Sequence, residues 1–315
     1  MCLRPRVIVN RYYLKRCSGD HIMAESLFGS ANDFYIKVDC ALCVECQQKR
    51  GKQWRTRLLD EYHYHLKMFP DSKVMFCTLT VEPRYYKWFT EHTNYAVRLF
   101  LERYRKRYGI SFKHFITSEY GEKRGRLHLH MIGFRMLCNV RELRDLWKYG
   151  RVDMQTLKGP QGLTYVSGYI TKIVRGDKLT GESIPYFIDE DKKTKVWVSP
   201  GLGLHYSLDP KIREWHFSGS YPRYVRVRDN GSPFAIPRYY LPKIFSPVDL
   251  ARRRMSFLAQ QSELPRPPFK VYNRFYNDIE SYFKRLHDIG GSPLLLSPQF
   301  DLLSFNQKQL YYGKQ

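Results

Sequence analysis

The 315 residues carry 53 Lys and Arg against 30 Asp and Glu, a formal net charge of +23, with 43% hydrophobic and 16% aromatic residues. A chain this long buries a core without a disulfide scaffold, and its seven cysteines are odd in number and sparse, which argues against a disulfide framework. No run approaches the roughly 18 apolar residues of a spanning helix, and MCLRPRVIVNRYYLKR lacks the apolar stretch of a signal peptide, so a soluble, intracellular protein without membrane partners is expected.

The positive charge points to a polyanion, and charge alone does not choose among nucleic acid, an anionic membrane and an acidic protein. The 25 tyrosines narrow the choice. Many stand beside Arg or Lys, as in NRYYLKR, RYRKRYG and YPRYVRVR, a mixture that neutralises phosphates and stacks bases.

Residues 1–72 read as a basic N-terminal segment in which CALCVECQQKRGKQWRTRLLDEYHYHLKMF is the first organised feature. Trp54, Leu58, Tyr62, Leu66 and Phe69 recur there at helical spacing, with one interior glycine, Gly51. KVMFCTLTVE at 73–82 predicts a buried strand, the stretch from Tyr85 to Tyr108 a helix, and SFKHFITSEY at 111–120 a second strand. After the polar loop GEKRG, RLHLHMIGF predicts a third. NVRELRDLWKYG reads as a short helix with Asn139 and Glu142 at capping-box spacing, RVDMQTL as a fourth strand, and QGLTYVSGYITKIVRG as a helix ended by Gly176. This order predicts an α+β fold whose core, residues 73–176, is a ferredoxin-like split βαβ unit: an antiparallel sheet flanked by helices. Residues 177–315, rich in Tyr, Pro and Arg, read as a C-terminal extension of short strands and loops, then a helix near YNRFYNDIESYFKRLHDIGG.

Within GRLHLHMIGF, period-two geometry puts His128 and His130 on one strand face and Leu127, Leu129 and Met131 on the other. Two imidazoles about 7 Å apart on one face can both turn toward a divalent cation if a third ligand, normally a carboxylate, closes the site. Glu119 is the nearest candidate. With a hairpin loop of Glu122 to Gly125, Gly121 pairs with Arg126, Glu119 lies opposite His128 and Thr117 opposite His130. A slip of one residue would put Glu119 on the wrong face. An isolated H-x-H also fits ordinary half-buried histidines.

In TYVSGYITK, Tyr165, Tyr169 and Lys172 form one helical stripe, while Leu163, Val166, Ile170 and Val174 form another about 120° round the axis. The apolar stripe supplies a core-facing side without the tyrosines, and Gly168 leaves room for a phosphodiester backbone. The stripe would equally serve as packing under the C-terminal layer. Beside a metal-ligand strand, it suggests that a tyrosine oxygen attacks a phosphodiester in line, giving a 5′ phosphotyrosine and a free 3′-hydroxyl. A hard ion such as Mg²⁺ or Mn²⁺ suits the polarisation of that phosphate. Lys172 would offset phosphate charge or lower the phenol pKa, and two tyrosines one turn apart permit two successive transesterifications.

FCTLTVE, RLHLHMIGF and YVSGYITK, in this order and spacing, resemble the motifs of the HUH endonuclease superfamily in its two-tyrosine form. With CALCVEC, ITSEYGEKRGRLHLHMIGF, VSPGLGLHY and IPRYYLPKIF, the stretch from about Cys40 to Phe245 is more narrowly similar to the replication initiators of microviruses, the small single-stranded DNA phages, in their gokushovirus-like branch. The resemblance implies a rolling-circle initiator that nicks the origin of supercoiled replicative DNA and stays covalently on the 5′ end. It leaves a 3′-hydroxyl for a host polymerase and religates the displaced circle, in the cytoplasm of an infected bacterium. By position it makes His128 and His130 metal ligands, Tyr165 and Tyr169 nucleophiles, and Lys172 the motif lysine. The third ligand varies across the superfamily, so Glu82 rivals Glu119. No P-loop G-x-x-x-x-G-K-[ST] occurs, so unwinding is expected from a host helicase.

Cys40, Cys43 and Cys46 form C-x-x-C-x-x-C, a zinc or iron-sulfur pattern, but the bacterial ferredoxin run needs a further Cys followed by Pro. Structural zinc needs a fourth ligand such as Cys17, Cys2 or His21; free thiols beside a DNA-binding helix are the alternative. The basic stretches Arg50 to Arg57 and Arg103 to Arg107 are expected as solvated helix faces, some of them phosphate neighbours. Two further functions compete: a transposase or relaxase with the same core, and a non-catalytic basic DNA-binding or packaging protein.

Overall fold

The computed structural model describes residues 2–9, 35–120, 126–168, 194–227, 231–253, 269–271 and 274–291. It divides into two compact units, one of Met1–Gln47, Pro185–Glu190 and Arg254–Gln315, the other of Gln48–Ile184 and Asp191–Arg253. In the first, strand β1 (Arg6–Val9) pairs antiparallel with β2 (Tyr35–Val38), and Phe269–Val271 forms a second antiparallel pair with Arg274–Tyr276. A helix, Ile279–Asp288, follows as expected; the Asp278 carboxylate accepts from Ser281 N at its N-terminus and so satisfies one otherwise unpaired helix donor.

The second unit is built on a five-stranded antiparallel sheet. Its strands are β3 (Val74–Thr80), β4 (Lys113–Tyr120), β5 (Leu127–Phe134), β6 (Val152–Thr156) and β7 (Val196–Val198), in the order β6-β3-β5-β4-β7. The four strands of the expected core take the ferredoxin-like arrangement, with β3 and β5 at the centre. Strand β7, which arrives from the C-terminal extension, adds itself to the free edge of β4. Its Val196 and Val198 pack on one sheet face and Trp197 on the other, the alternation that an edge strand two-sided in burial requires.

One face of the sheet presents Cys77, Leu79, Ile116, Leu127, Leu129 and Met131 to the helices α2 (Pro83–Glu91), α3 (Thr93–Tyr108) and α4 (Val140–Trp147). Phe89, Phe100, Tyr104 and Trp147 fill that layer, each fully buried. A single helix was expected from Tyr85 to Tyr108; the chain breaks it at His92, with φ −116° and ψ 28°. Threonine hydroxyls explain the break: Thr93 Oγ1 donates to Phe89 O at 2.8 Å and Thr90 Oγ1 to Lys87 O at 2.8 Å, competing for helix carbonyls. Helix α3 ends on Gly109, whose left-handed φ of 72° lets its N–H return to Arg105 O. The Asn139–Glu142 capping box opens α4 as its spacing predicts.

The other face carries Phe76, Phe115, Ile132 and Phe134 and is covered by α1 (Val44–Met68), through Trp54, Leu58 and Tyr62, and by α5 (Pro160–Gly168), through Leu163. Removing such side chains from water contributes about 1.5–3 kcal/mol each. The extension also carries short helices, His205–Leu208, Pro210–Phe217 and Leu241–Ile244, beyond the strands expected of it; Asp209 caps the second, accepting from Lys211 N at 2.9 Å.

Candidate active site

Strands β4 and β5 pair with Glu119 opposite His128 and Thr117 opposite His130, the register that a four-residue loop dictates. Strand β3 lies on the other side of β5, with Thr80 opposite His128 and Thr78 opposite His130. Both histidines, both threonines and Glu119 therefore share the sheet face that α1 and α5 cover.

His130 is the fixed member. Its Nε2 lies 2.6 Å from Glu119 Oε2, and the two side chains are only 8% and 9% exposed. Because a carboxylate only accepts, this contact is Nε2–H donating to Glu119, and the Thr78 hydroxyl, 3.2 Å from Nδ1, donates to the ring's other nitrogen. Phe76 stacks on the imidazole at 5.7 Å between centroids and 11° between planes. His128 is less buried, and its Nδ1–H donates to Arg126 O at 2.8 Å, which leaves the Nε2 lone pair unprotonated. Glu82, the alternative carboxylate, caps α2 and pairs with Arg84 at 3.0 Å. Of the two, Glu119 is the one in contact with a histidine.

This donor set fits a divalent cation. It offers two imidazoles and a carboxylate on one face, and the Thr78 hydroxyl, which both donates and accepts, would hold His130 in either tautomer. Thr78 and Phe76 are the functional neighbours that the sequence reading passed over. Alternation along FCTLTVE, continued from the histidine face, would have found them.

The backbone of Tyr165 lies in α5, two residues beyond Leu163, which is fully buried against the histidine-bearing face. Tyr169 and Lys172 lie outside the described residues. Gly168 ends the described part of the helix.

Several arginines expected as phosphate neighbours instead hold the fold. Arg50 donates to Thr194 O at 2.9 Å, Arg57 to Leu202 O at 2.9 and 3.2 Å, and Arg103 to Trp147 O and to Tyr149 OH. The guanidinium of Arg57 also stacks over Tyr239 at 3.7 Å. The stretches VSPGLGLHY and IPRYYLPKIF thereby clasp α1. Gly203 N donates to the buried Glu61 at 2.7 Å, and Tyr240 OH donates to Asp60 at 2.7 Å, where Arg226 also binds with two bonds. Gly203 is required there: its φ is 74°, and a Cβ would come within 2.7 Å of Arg57 O.

Residues 74–174 match a family model of replication-associated proteins of the ORF2 type, a span that runs from β3 into the tyrosine motif. The chain is similar to Replication-associated protein ORF4 of Chlamydia phage 1, with 23% identity over 243 residues. That alignment covers 68% of this chain and 55% of the phage protein, so the chain spans about half the length of the curated relative it matches. No solved structure matches it.

Proposed function

We propose that this chain, a microvirus-like replication-associated protein, starts rolling-circle replication by nicking one strand of a circular phage genome at its origin. The observation that carries the reading is the shared sheet face: His128, His130 and Glu119 lie on it, and the helix that begins the double-tyrosine motif packs over it through Leu163.

In this reading the phenol oxygen of Tyr165 or Tyr169 forms a bond to the scissile phosphorus as the bond from phosphorus to the 3′ oxygen breaks. The phenol proton leaves to water or a base, and the departing 3′ oxygen takes up a proton, giving the 3′-hydroxyl that a host polymerase extends. A Mg²⁺ or Mn²⁺ ion held by His128, His130 and Glu119 would supply Lewis-acid polarisation of the phosphate. His130 is oriented by Thr78 and Phe76, Glu119 fixes its ring, and Arg126 O sets the tautomer of His128. Lys172 offsets phosphate charge, and the second tyrosine attacks at the completed circle, so that the displaced strand is religated. Origin DNA, as single strand and supercoiled duplex, is the substrate; a host helicase supplies the unwinding, in the bacterial cytoplasm. Among the described residues no helix is long and apolar enough to cross a membrane.

The test uses end-labelled single-stranded origin DNA on denaturing gels, with Mn²⁺ or EDTA, and the variants Tyr165→Phe, Tyr169→Phe, their double, and His128→Ala/His130→Ala. A metal-dependent protein adduct on the 5′ end of the product, lost in the double Phe variant, is expected. Binding that survives chelation and every variant, with no adduct on a verified origin, would move the chain to the class of basic DNA-binding proteins, whose affinity falls with salt.

A further inference from the structure

Away from the histidine face, four cysteines converge. Cys2, Cys40, Cys43 and Cys46 are buried, and their sulfurs all lie within 4.8 Å of one another. The Cys40–Cys46 and Cys2–Cys43 sulfur pairs are each 3.9 Å apart. A tetrahedral ion with metal–sulfur bonds of about 2.3 Å sets its sulfurs about 3.8 Å apart. A disulfide needs about 2.05 Å, and a four-iron cubane spreads its cysteine sulfurs wider than this cage.

The backbone is arranged for sulfur that bears charge. Leu3 N donates to Cys43 Sγ at 3.4 Å, Cys40 N to Cys2 Sγ at 3.3 Å, and Leu42 N and Cys43 N both to Cys40 Sγ at 3.4 and 3.3 Å. Thiols are weak acceptors, whereas thiolates reward four such donors. Ala41 stands in the left-handed region, with φ 61°, so that both following N–H groups turn back onto Cys40. A residue with a Cβ there costs about 1–2 kcal/mol and persists where its surroundings demand it. The amide of the buried Gln47 donates to Ala41 O and closes the turn. Cys43 immediately precedes the first helical residue of α1 and Cys46 lies in its first turn, where the helix dipole favours negative charge. Four thiolates in one buried cage demand a cation.

We propose that Cys2, Cys40, Cys43 and Cys46 form a structural zinc site that ties the N-terminus and the end of the β1–β2 pair to the first turn of α1. Of the fourth ligands that the sequence left open, Cys2 is the one in the cage; Cys17 and His21 lie outside the described residues. A closed four-sulfur shell leaves no position for substrate, so the site holds structure and performs no chemistry.

This inference stands apart from the nicking reading, and its test reads metal. Full-length protein in metal-free buffer is assayed for zinc and iron, then titrated with a mercurial while a chromophoric chelator records released zinc. About one zinc per chain is expected, released as the cage thiols react. Exchange for Co²⁺ is expected to give the intense visible bands of a tetrahedral thiolate site, a readout on the unmutated chain. Cys2→Ser and Cys43→Ser lose the zinc, and His128→Ala/His130→Ala retains it. A folded chain without zinc, disulfide-linked cysteines by mass, a stoichiometric iron content, or a Co²⁺ form lacking those bands overturns the assignment.

Discussion

Glu119 stands opposite His128 in the strand register, yet its carboxylate contacts His130, with Oε2 2.6 Å from Nε2. The side chain thus reaches diagonally across the β4–β5 pair, within the roughly 7–8 Å that a long side chain spans between diagonal neighbours. One carboxylate is thereby opposite one histidine and bonded to the next.

The length of Glu119 is therefore as necessary as its charge. Glu119→Asp and Glu119→Gln should each slow metal-dependent cleavage of origin DNA on the order of 10²-fold, since polarisation of the phosphate is worth several kcal/mol at about 1.4 kcal/mol per tenfold. DNA affinity, measured by filter binding across a salt series, should stay unchanged. Cleavage by Glu119→Asp at the parental rate would remove Glu119 from the site.

Thr78 positions His130 without touching substrate. Thr78→Val is expected to weaken the Mn²⁺ dependence of cleavage about 10- to 100-fold, the usual effect of losing a partner of a ligating histidine. Thr78→Ser should restore it. A Mn²⁺ titration read as cleavage rate separates this from a packing defect, which Ser and Val would share.

Asp60 joins α1 to the extension. It receives Arg226 at 2.7 and 2.9 Å and Tyr240 OH at 2.7 Å, with Arg226 and Asp60 side chains 18% and 9% exposed. Asp60→Ala leaves a buried guanidinium unpaired and should cost about 3–5 kcal/mol, whereas Tyr240→Phe should cost about 1–3 kcal/mol. Chemical denaturation measures both; equal, small losses would show that this contact does not hold the extension.

His216 gives stability a pH dependence of known sign. It is fully buried, its Nδ1–H donates to Arg223 O at 2.7 Å, and its Nε2 accepts from Tyr206 OH at 3.1 Å. Burial, with Arg226 and Arg223 nearby, lowers its pKa, and burial likewise pushes Tyr206 up to about 12, which keeps that phenol a donor. Burial lowers His114 as well. Below the ordinary histidine value of about 6.5, the unfolded chain binds protons that these folded rings refuse. Stability is thus whole above that value and declines as pH falls through it. Thermal melts from pH 8 to pH 5 should show the decline, and His216→Gln should flatten it; a melt indifferent to pH over that window contradicts the assignment.

Local pattern alone determined the central strands, the capping box and the face shared by His128, His130 and Glu119. Strand alternation has a period of two, and a four-residue loop leaves one register, so neighbouring strands could be aligned from GEKRG without knowing the rest of the fold. The histidine and tyrosine motifs were equally legible, because their residue types and spacing are themselves the signal. Only the tertiary structure decided that Glu119 rather than Glu82 meets a histidine, that Thr78 and Phe76 hold His130, and that Cys2 completes the cysteine cage. It likewise turned Arg50, Arg57 and Arg103 from prospective phosphate ligands into donors to carbonyls far along the chain, and it laid β7 on the edge of β4. Each of these contacts joins residues separated by more than a hairpin, and no local period encodes which distant partner a side chain meets when the sheet and its covering helices close.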